Sequence, residues 1–186
     1  EGPWALQTSL SIGLRDDAGS VGRALALLGA QGMDQVLTGL EDGTVRFIPQ
    51  EGPTNYAAKL CSDDCLLRLD ASARCVHDRV RALSPCVGVR ACSGEVGFKL
   101  WRTWPYGGRG LDDVPLQVES MAGRPGRLLA VGGRLFLGCA DGVVELLLVQ
   151  PDGKKRMRAA DFLRGYGTRL GECVIAPTTA AGPSSA

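Results

Sequence analysis

Four cations fall within five residues in the C-terminal part of this sequence: Lys154, Lys155, Arg156 and Arg158. Lysine ammonium groups and arginine forks at that density can neutralise phosphates, giving affinity and orientation without reading bases. Taken alone, the cluster is more plainly a solvated turn. Its setting is specific. An apolar run from Val143 to Val149, broken only by Glu145, reads as a strand that stops at Pro151-Asp152-Gly153, a turn in which proline presets φ and glycine tolerates φ > 0. After the cations, Ala159 to Arg164 takes up a helix-compatible pattern with Phe162 and Leu163 available for burial. Arg164 and Arg169 would extend the track, and Trp101, Trp104 and Tyr106 offer rings that either stack on a base or pack internally.

No catalytic constellation accompanies these cations. The single histidine, His77, sits beside Asp78 in a capped helical stretch and reads as a surface or packing residue. Asn55 lies in a linker-like segment, and neither Ser-His-Asp nor Cys-His can be assembled. Asp63-Asp64 and Asp112-Asp113 lack a cation-loop pattern and read as solvated turn charge. Gly107-Gly-Arg-Gly110 is not followed by a helix start with Lys-Ser/Thr, so it reads as a loop rather than a phosphate cradle. The seven cysteines contain no C-x-x-C, and Cys61-x-x-x-Cys65 is the nearest approach to a ligand pair; reduced structural thiols in a reducing compartment are expected. The expectation is therefore no catalytic, metal or cofactor-binding residue.

The chain is 45% hydrophobic, which excludes wholesale disorder, yet no apolar run reaches the roughly 18 to 20 residues of a membrane-spanning helix, so no membrane partner is expected. Residues 1–83 carry 8 Lys/Arg and 11 Asp/Glu (net −3), while residues 84–186 carry 13 and 9 (net +4). A mildly basic second half suits a polyanion partner. Glu1-Gly-Pro-Trp lacks the pattern of a targeting leader and an initiator methionine, and reads as a start in mid-protein or after processing.

The elements that must position these residues follow from pattern. Residues 4–12 alternate in part and read as a strand. Ser20 offers an N-cap for a helix with Val21, Leu25, Leu28, Gly32 and Val36 near one face, ending at Asp42-Gly43, where Gly29 and Gly32 mark a break or a close contact. Thr44 to Ile48 is a short β run. Residues 50–59 have linker composition. Leu66 to Leu69 is a candidate strand, and Ser72 caps a helix carrying Val76, Val80 and Leu83, stopped by Ser84-Pro85. Val87 to Cys92 and Phe98 to Trp104 could pair about Ser93-Gly94. Leu128 to Val131, Arg134 to Ala140 and Val143 to Val149 form a meander through Gly132-Gly133 and Asp141-Gly142. Arg102 to Pro125 reads as a long irregular loop and residues 176–186 as a disordered tail. The class is α+β, with five or so short strands closing into an OB-like antiparallel barrel.

The stretch Gln150-Pro-Asp-Gly-Lys-Lys-Arg-Met-Arg-Ala-Ala-Asp-Phe-Leu163 resembles the signature of the C-terminal domain of methionyl-tRNA formyltransferases. Other pieces follow in the family's order. Leu28-Gly29-Ala30 is similar to the last helix of its catalytic domain, Thr54-Asn-Tyr-Ala-Ala-Lys-Leu60 to its linker, His77-Asp-Arg-Val-Arg-Ala82 to the helix opening its C-terminal domain, and Lys99-Leu-Trp-Arg102 and Leu128 to Gly142 to barrel strands. Where the family usually has Asn-Pro-Trp-Pro-Gly, this chain has Leu83-Ser-Pro-Cys-Val-Gly88. The resemblance implies an α/β formyltransferase remnant of strand and helix at 1–49, a linker at 50–65, an OB-like domain at 66–175 and the tail. It implies binding of initiator methionyl-tRNA through Lys154, Lys155, Arg156, Arg158 and Arg164. The family's catalytic Asn, His and Asp and its folate pocket belong to segments that would precede Glu1, so the chain alone is expected to be inactive. The cosubstrate of the complete enzyme, 10-formyltetrahydrofolate, is not expected to bind here. A monomer in the bacterial cytoplasm, or in a mitochondrial or plastid matrix, is implied. Two other readings stay open: a non-catalytic RNA-binding module from a truncated or split gene, and the C-terminal domain of a folate-dependent formyltransferase acting on a sugar or other amine.

Overall fold

The computed structural model describes residues 2–107 and 114–174, and the chain divides into two compact units, Glu1–Lys59 and Leu60–Ala186. The expected loop motif at Gly108–Gly110, the Asp112-Asp113 pair and the 176–186 tail lie outside the described residues.

In the first unit, helix α1 spans Ala18–Glu41. It starts before the expected cap, because Asp17 and Ser20 cap it reciprocally. The Asp17 carboxylate accepts from the Ser20 N–H at 2.8 Å, and the Ser20 hydroxyl accepts from the Asp17 N–H at 3.1 Å. Ser20 thus holds the third helical position rather than the cap. Gly29 and Gly32 lie within one unbroken helix, and a side chain at Gly32 would stand 3.1 Å from Leu6 Cδ2, so that glycine serves a close contact. The strand expected over 4–12 contracts to one bridge, Trp4 with Ile48, made by two N–H···O bonds of 2.9 Å. α1 leaves Leu25, Leu27, Met33, Leu37 and Leu40 at least half exposed.

The second unit is built on an antiparallel sheet of β1 (Val89–Ser93), β2 (Val96–Gly107), β3 (Leu128–Val131), β4 (Arg134–Gly138), β5 (Gly142–Pro151) and β6 (Met157–Arg158). Their order is β1-β2-β5-β4-β3, with β6 added to β5. Helices α2 (Ala73–Ala82) and α4 (Ala159–Tyr166) supply Val76, Val80 and Phe162 to a core with Phe98, Leu100, Leu135, Leu137, Val144, Leu146 and Val149. A short helix, α3 (Leu116–Glu119), and the chain around it cover part of the other face, where Val114, Val118 and Met121 meet Phe136 and Val143.

Ser72 caps α2 as its sequence position suggests, its hydroxyl accepting from the Cys75 N–H at 3.0 Å. Gly132 and Gly133, both at positive φ (58° and 77°), form the two-residue turn between β3 and β4. The β1–β2 turn sits one residue later than expected, at Gly94-Glu95, since Ser93 pairs with Val96. The β4–β5 turn sits one residue earlier than expected, at Ala140-Asp141: Gly138 pairs with Val143, and the Cys139 N–H donates to the Gly142 carbonyl at 2.9 Å. Asp141 has a second use, accepting from the Ala73 N–H at 2.8 Å at the start of α2. β2 runs on to Gly107, so the first six residues of the expected 102–125 loop are strand paired with β5.

The sheet does not close into the expected barrel; among the described residues, β1 and β3 are its edges. Irregular backbone occupies the seam. The Leu67 N–H donates to the Arg90 carbonyl of β1 at 3.1 Å, and the Leu128 N–H of β3 donates to the Glu172 carbonyl at 2.7 Å. The Ser93 hydroxyl at the end of β1 reaches the Gly171 and Cys173 carbonyls at 3.0 Å each. The segment 171–174 therefore satisfies polar groups at both edges, which removes the need for a direct β1–β3 ladder.

Candidate nucleic-acid interface

β5 ends at Pro151, and the chain reverses at Asp152-Gly153, where Gly153 takes φ 70° and the Lys154 N–H closes onto the Pro151 carbonyl at 3.0 Å. β6 then returns along β5, pairing Met157 with Val149 and Arg158 with Leu148. α4 begins at the next residue and is anchored by Phe162, fully buried between the rings of Phe98 and Tyr166 at centroid distances of 5.3 and 5.2 Å. A hairpin therefore carries the cations, and a helix anchored by the buried Phe162 fixes its far end.

Lys154, Lys155, Arg156, Arg158 and Arg164 are all exposed, but they are not equivalent. Lys154, Lys155 and Arg158 make no ion pair among the described residues. Arg164 is paired with Asp161 on its own helix. Arg156 lies flat on Trp101, its guanidinium carbon 3.4 Å from the ring centroid, and donates through Nη2 to the Pro85 carbonyl at 2.6 Å. The Trp101 indole N–H donates to Gln150 Oε1 at 2.9 Å, and Gln150 Nε2 donates across the turn to the Lys154 carbonyl at 2.7 Å.

The register adds two cations that the linear pattern missed. Leu148 of β5 has Arg102 of β2 opposite it on one side and Arg158 of β6 on the other. With strands about 4.8 Å apart, these two exposed arginines are based roughly 10 Å from one another across the sheet. Arg90 of β1, also exposed, pairs with Lys99 of β2, which pairs in turn with Gln150. The positive surface thus runs across the strands from the turn, not along α4. Only strand register places Arg102 beside Arg158, and nothing in the spacing of 56 positions signals it.

Residues 59–167 match the family described as formyl transferase, C-terminal domain. The chain belongs to this family. It is 40% identical to a methionyl-tRNA formyltransferase of Rubrobacter xylanophilus, covering 89% of this chain and 52% of that protein. A methionyl-tRNA formyltransferase of Methylobacterium sp. is 38% identical over 91% of this chain and 53% of its own length. The chain therefore spans about half the length of these curated relatives. A crystal structure of HypX from Aquifex aeolicus shares the fold, with TM-score 0.61 and 15% identity over 88% of this chain and 27% of that one.

The formyl transferase C-terminal match ends just beyond α4, so it takes in the whole basic hairpin. The aromatic candidates are committed to packing. Trp101 is 7% exposed beneath Arg156, Trp104 meets the His77 ring edge-on at 6.1 Å, and the Tyr106 hydroxyl donates to Glu145 Oε2 at 3.0 Å. Arg134 grips the same carboxylate with Nε at 2.9 Å and Nη2 at 2.7 Å. Burial works against the charge on Glu145, but the bonds from Arg134 and Tyr106 outweigh it and hold the carboxyl below its ordinary value. Burial, then the Glu145 bond, raises the Tyr106 phenol.

His77 is a packing residue, 4% exposed with Nδ1 3.0 Å from Thr103 Oγ1. Asn55 is exposed in the segment preceding the family match. The Asp64 carboxylate accepts from the Cys61 N–H at 2.9 Å, and that bond first of all lowers its pKa. All seven cysteines are free thiols, yet only Cys139 is the small buried hydrophobe expected of them, its thiol pushed up to about 12 by burial and then by Asp141.

Proposed function

We propose that this chain is the C-terminal, tRNA-binding part of a methionyl-tRNA formyltransferase, whose complete form transfers a formyl group from 10-formyltetrahydrofolate to the amino group of methionyl initiator tRNA. The observation that carries this reading is the exposed basic hairpin at 151–158, set inside a family match that relatives of that name share across most of this chain. Lys154, Lys155 and Arg158 contact phosphates, with Arg102 and Arg90 continuing the surface. Arg164 contributes less, because Asp161 neutralises it. In this reading the open sheet is a variant of the family's OB-like domain, with the 171–174 segment in place of its closing ladder, the domains divide at 1–49, 50–65 and 66–175, and the protein acts as a monomer where translation starts in the bacterial manner: bacterial cytoplasm, or a mitochondrial or plastid matrix.

Formyl-transfer chemistry then comes from another polypeptide segment that carries the family's Asn, His and Asp. Two facts support this: the chain spans about half of its relatives, and α1 exposes Leu27 (69%) and Met33 (60%), apolar surface of the kind a neighbouring domain covers. The HypX protein was crystallised with tetrahydrofolic acid, in keeping with folate use by the complete enzyme. The test is complementation. Purified chain is expected to produce no formyl-methionyl-tRNA, and addition of a separately made N-terminal half of the Rubrobacter xylanophilus relative is expected to restore formylation above that of the half alone. Turnover by this chain alone would refute the division of labour. Tight tRNA binding with no restoration would favour the non-catalytic RNA-binding module, and absence of tRNA binding would favour a formyltransferase acting on another amine.

A further inference from the structure

We infer that Arg156 is a positioning residue, which fixes the lysine-bearing turn in place and makes no phosphate contact of its own; this rests on the reading of the turn as a tRNA interface. Sequence groups it with its cationic neighbours, but its geometry sets it apart. One face of the guanidinium lies against the Trp101 indole at 3.4 Å, and Nη2 is spent on the Pro85 carbonyl at 2.6 Å. From the same indole a second line of contacts runs back to the turn, through the Trp101 N–H to Gln150 and through the Gln150 amide to the Lys154 carbonyl. Both ends of the Lys154–Arg156 stretch are therefore tied to one side chain. Trp101 stands where the β2–β5 register shifts, between Leu100 and Arg102, so the irregularity aims the indole at the turn.

Without these ties, residues 152–156 are a connection between β5 and β6 that must lose conformational freedom each time the ammonium groups dock. With them, Lys154 and Lys155 leave a backbone already held in place. The required chemistry is specific to arginine. A planar, weakly hydrated guanidinium stacks on an indole and donates sideways at once, which an ammonium cannot do. Lys99 already brings an ammonium within 5.8 Å of the same ring while donating to the Val87 carbonyl at 3.1 Å, so a lysine at 156 would duplicate that charge without supplying the clamp.

The test is tRNA binding by the full chain across a salt series, comparing Arg156→Lys, Arg156→Gln and Gln150→Ala. All three are expected to weaken binding by about three- to tenfold, the range set by losing one stacked cation and its hydrogen bonds. The slope of log K against log salt should match the unsubstituted chain. Gln150→Ala matters most here, because it changes no charge and reaches the turn from the other side. Acrylamide quenching of tryptophan fluorescence should rise in both Arg156 variants as Trp101 loses its cover. Normal affinity in Arg156→Lys, a slope reduced by about 0.7 to 0.9 in Arg156→Gln, or normal affinity in Gln150→Ala would each overturn the inference and leave the tRNA reading standing. A flat salt dependence in the unsubstituted chain would instead remove the tRNA reading, and this one with it.

Discussion

Replacing Phe162 by alanine is expected to destabilise the second unit by about 4 kcal/mol, within the ~3–5 kcal/mol typical of a large aromatic removed from a core. Phe162 is 0% exposed and held between two rings, so the vacated volume cannot be filled by a small local shift. A unit of this size has a total stability of about 5–15 kcal/mol, so most of the margin disappears. Urea unfolding followed by circular dichroism should show a much lower midpoint with an unchanged slope, and Phe162→Leu should recover most of the loss. An alanine variant as stable as its parent would mean that α4 does not anchor the hairpin.

The second large effect is on binding. Simultaneous Lys154→Glu, Lys155→Glu and Arg158→Glu substitution is expected to weaken tRNA affinity by about a thousandfold or more at low salt, since three charge-assisted contacts each contribute about 1.5 kcal/mol. The salt slope should fall by about two units. All three side chains are exposed and unpaired among the described residues, so the unfolding midpoint should hardly move. Arg164→Glu alone should cost far less, because Asp161 already offsets that charge. Equal losses for Arg164→Glu and the triple variant would redirect the interface onto α4.

Where local chemistry decides structure, the sequence was readable. Gly132-Gly133, the Ser72 cap and the Pro151-Asp152-Gly153 reversal each depend on a few adjacent residues, and each is found in place. The Gly- and Pro-rich composition after Arg102 reads as loop and hides the end of β2. In the fold, β1 pairs only as far as Leu100, so from there onward β2 has one partner, and Pro105 costs no ladder bond on its open side. Asp141 is half of its turn and also accepts from the first N–H of a helix 68 positions earlier, a contact that only tertiary structure makes. The missing closure has the same origin: the seam is filled by Gly171 to Val174, a stretch without strand periodicity. For the site, the cation cluster was plain, but its division into presented lysines and a stacked arginine depends on Trp101, and Arg102 joins it only through register.

The most direct measurement is the rate of lysine acylation, followed by mass spectrometry, with and without saturating initiator tRNA. The chain has four lysines, at 59, 99, 154 and 155, so each can be followed separately. Slowed modification of Lys154 and Lys155, with Lys59 unchanged, is the predicted result. Lys154 and Lys155 reacting as fast with bound tRNA as without it would contradict the assignment of the hairpin as the tRNA-binding surface.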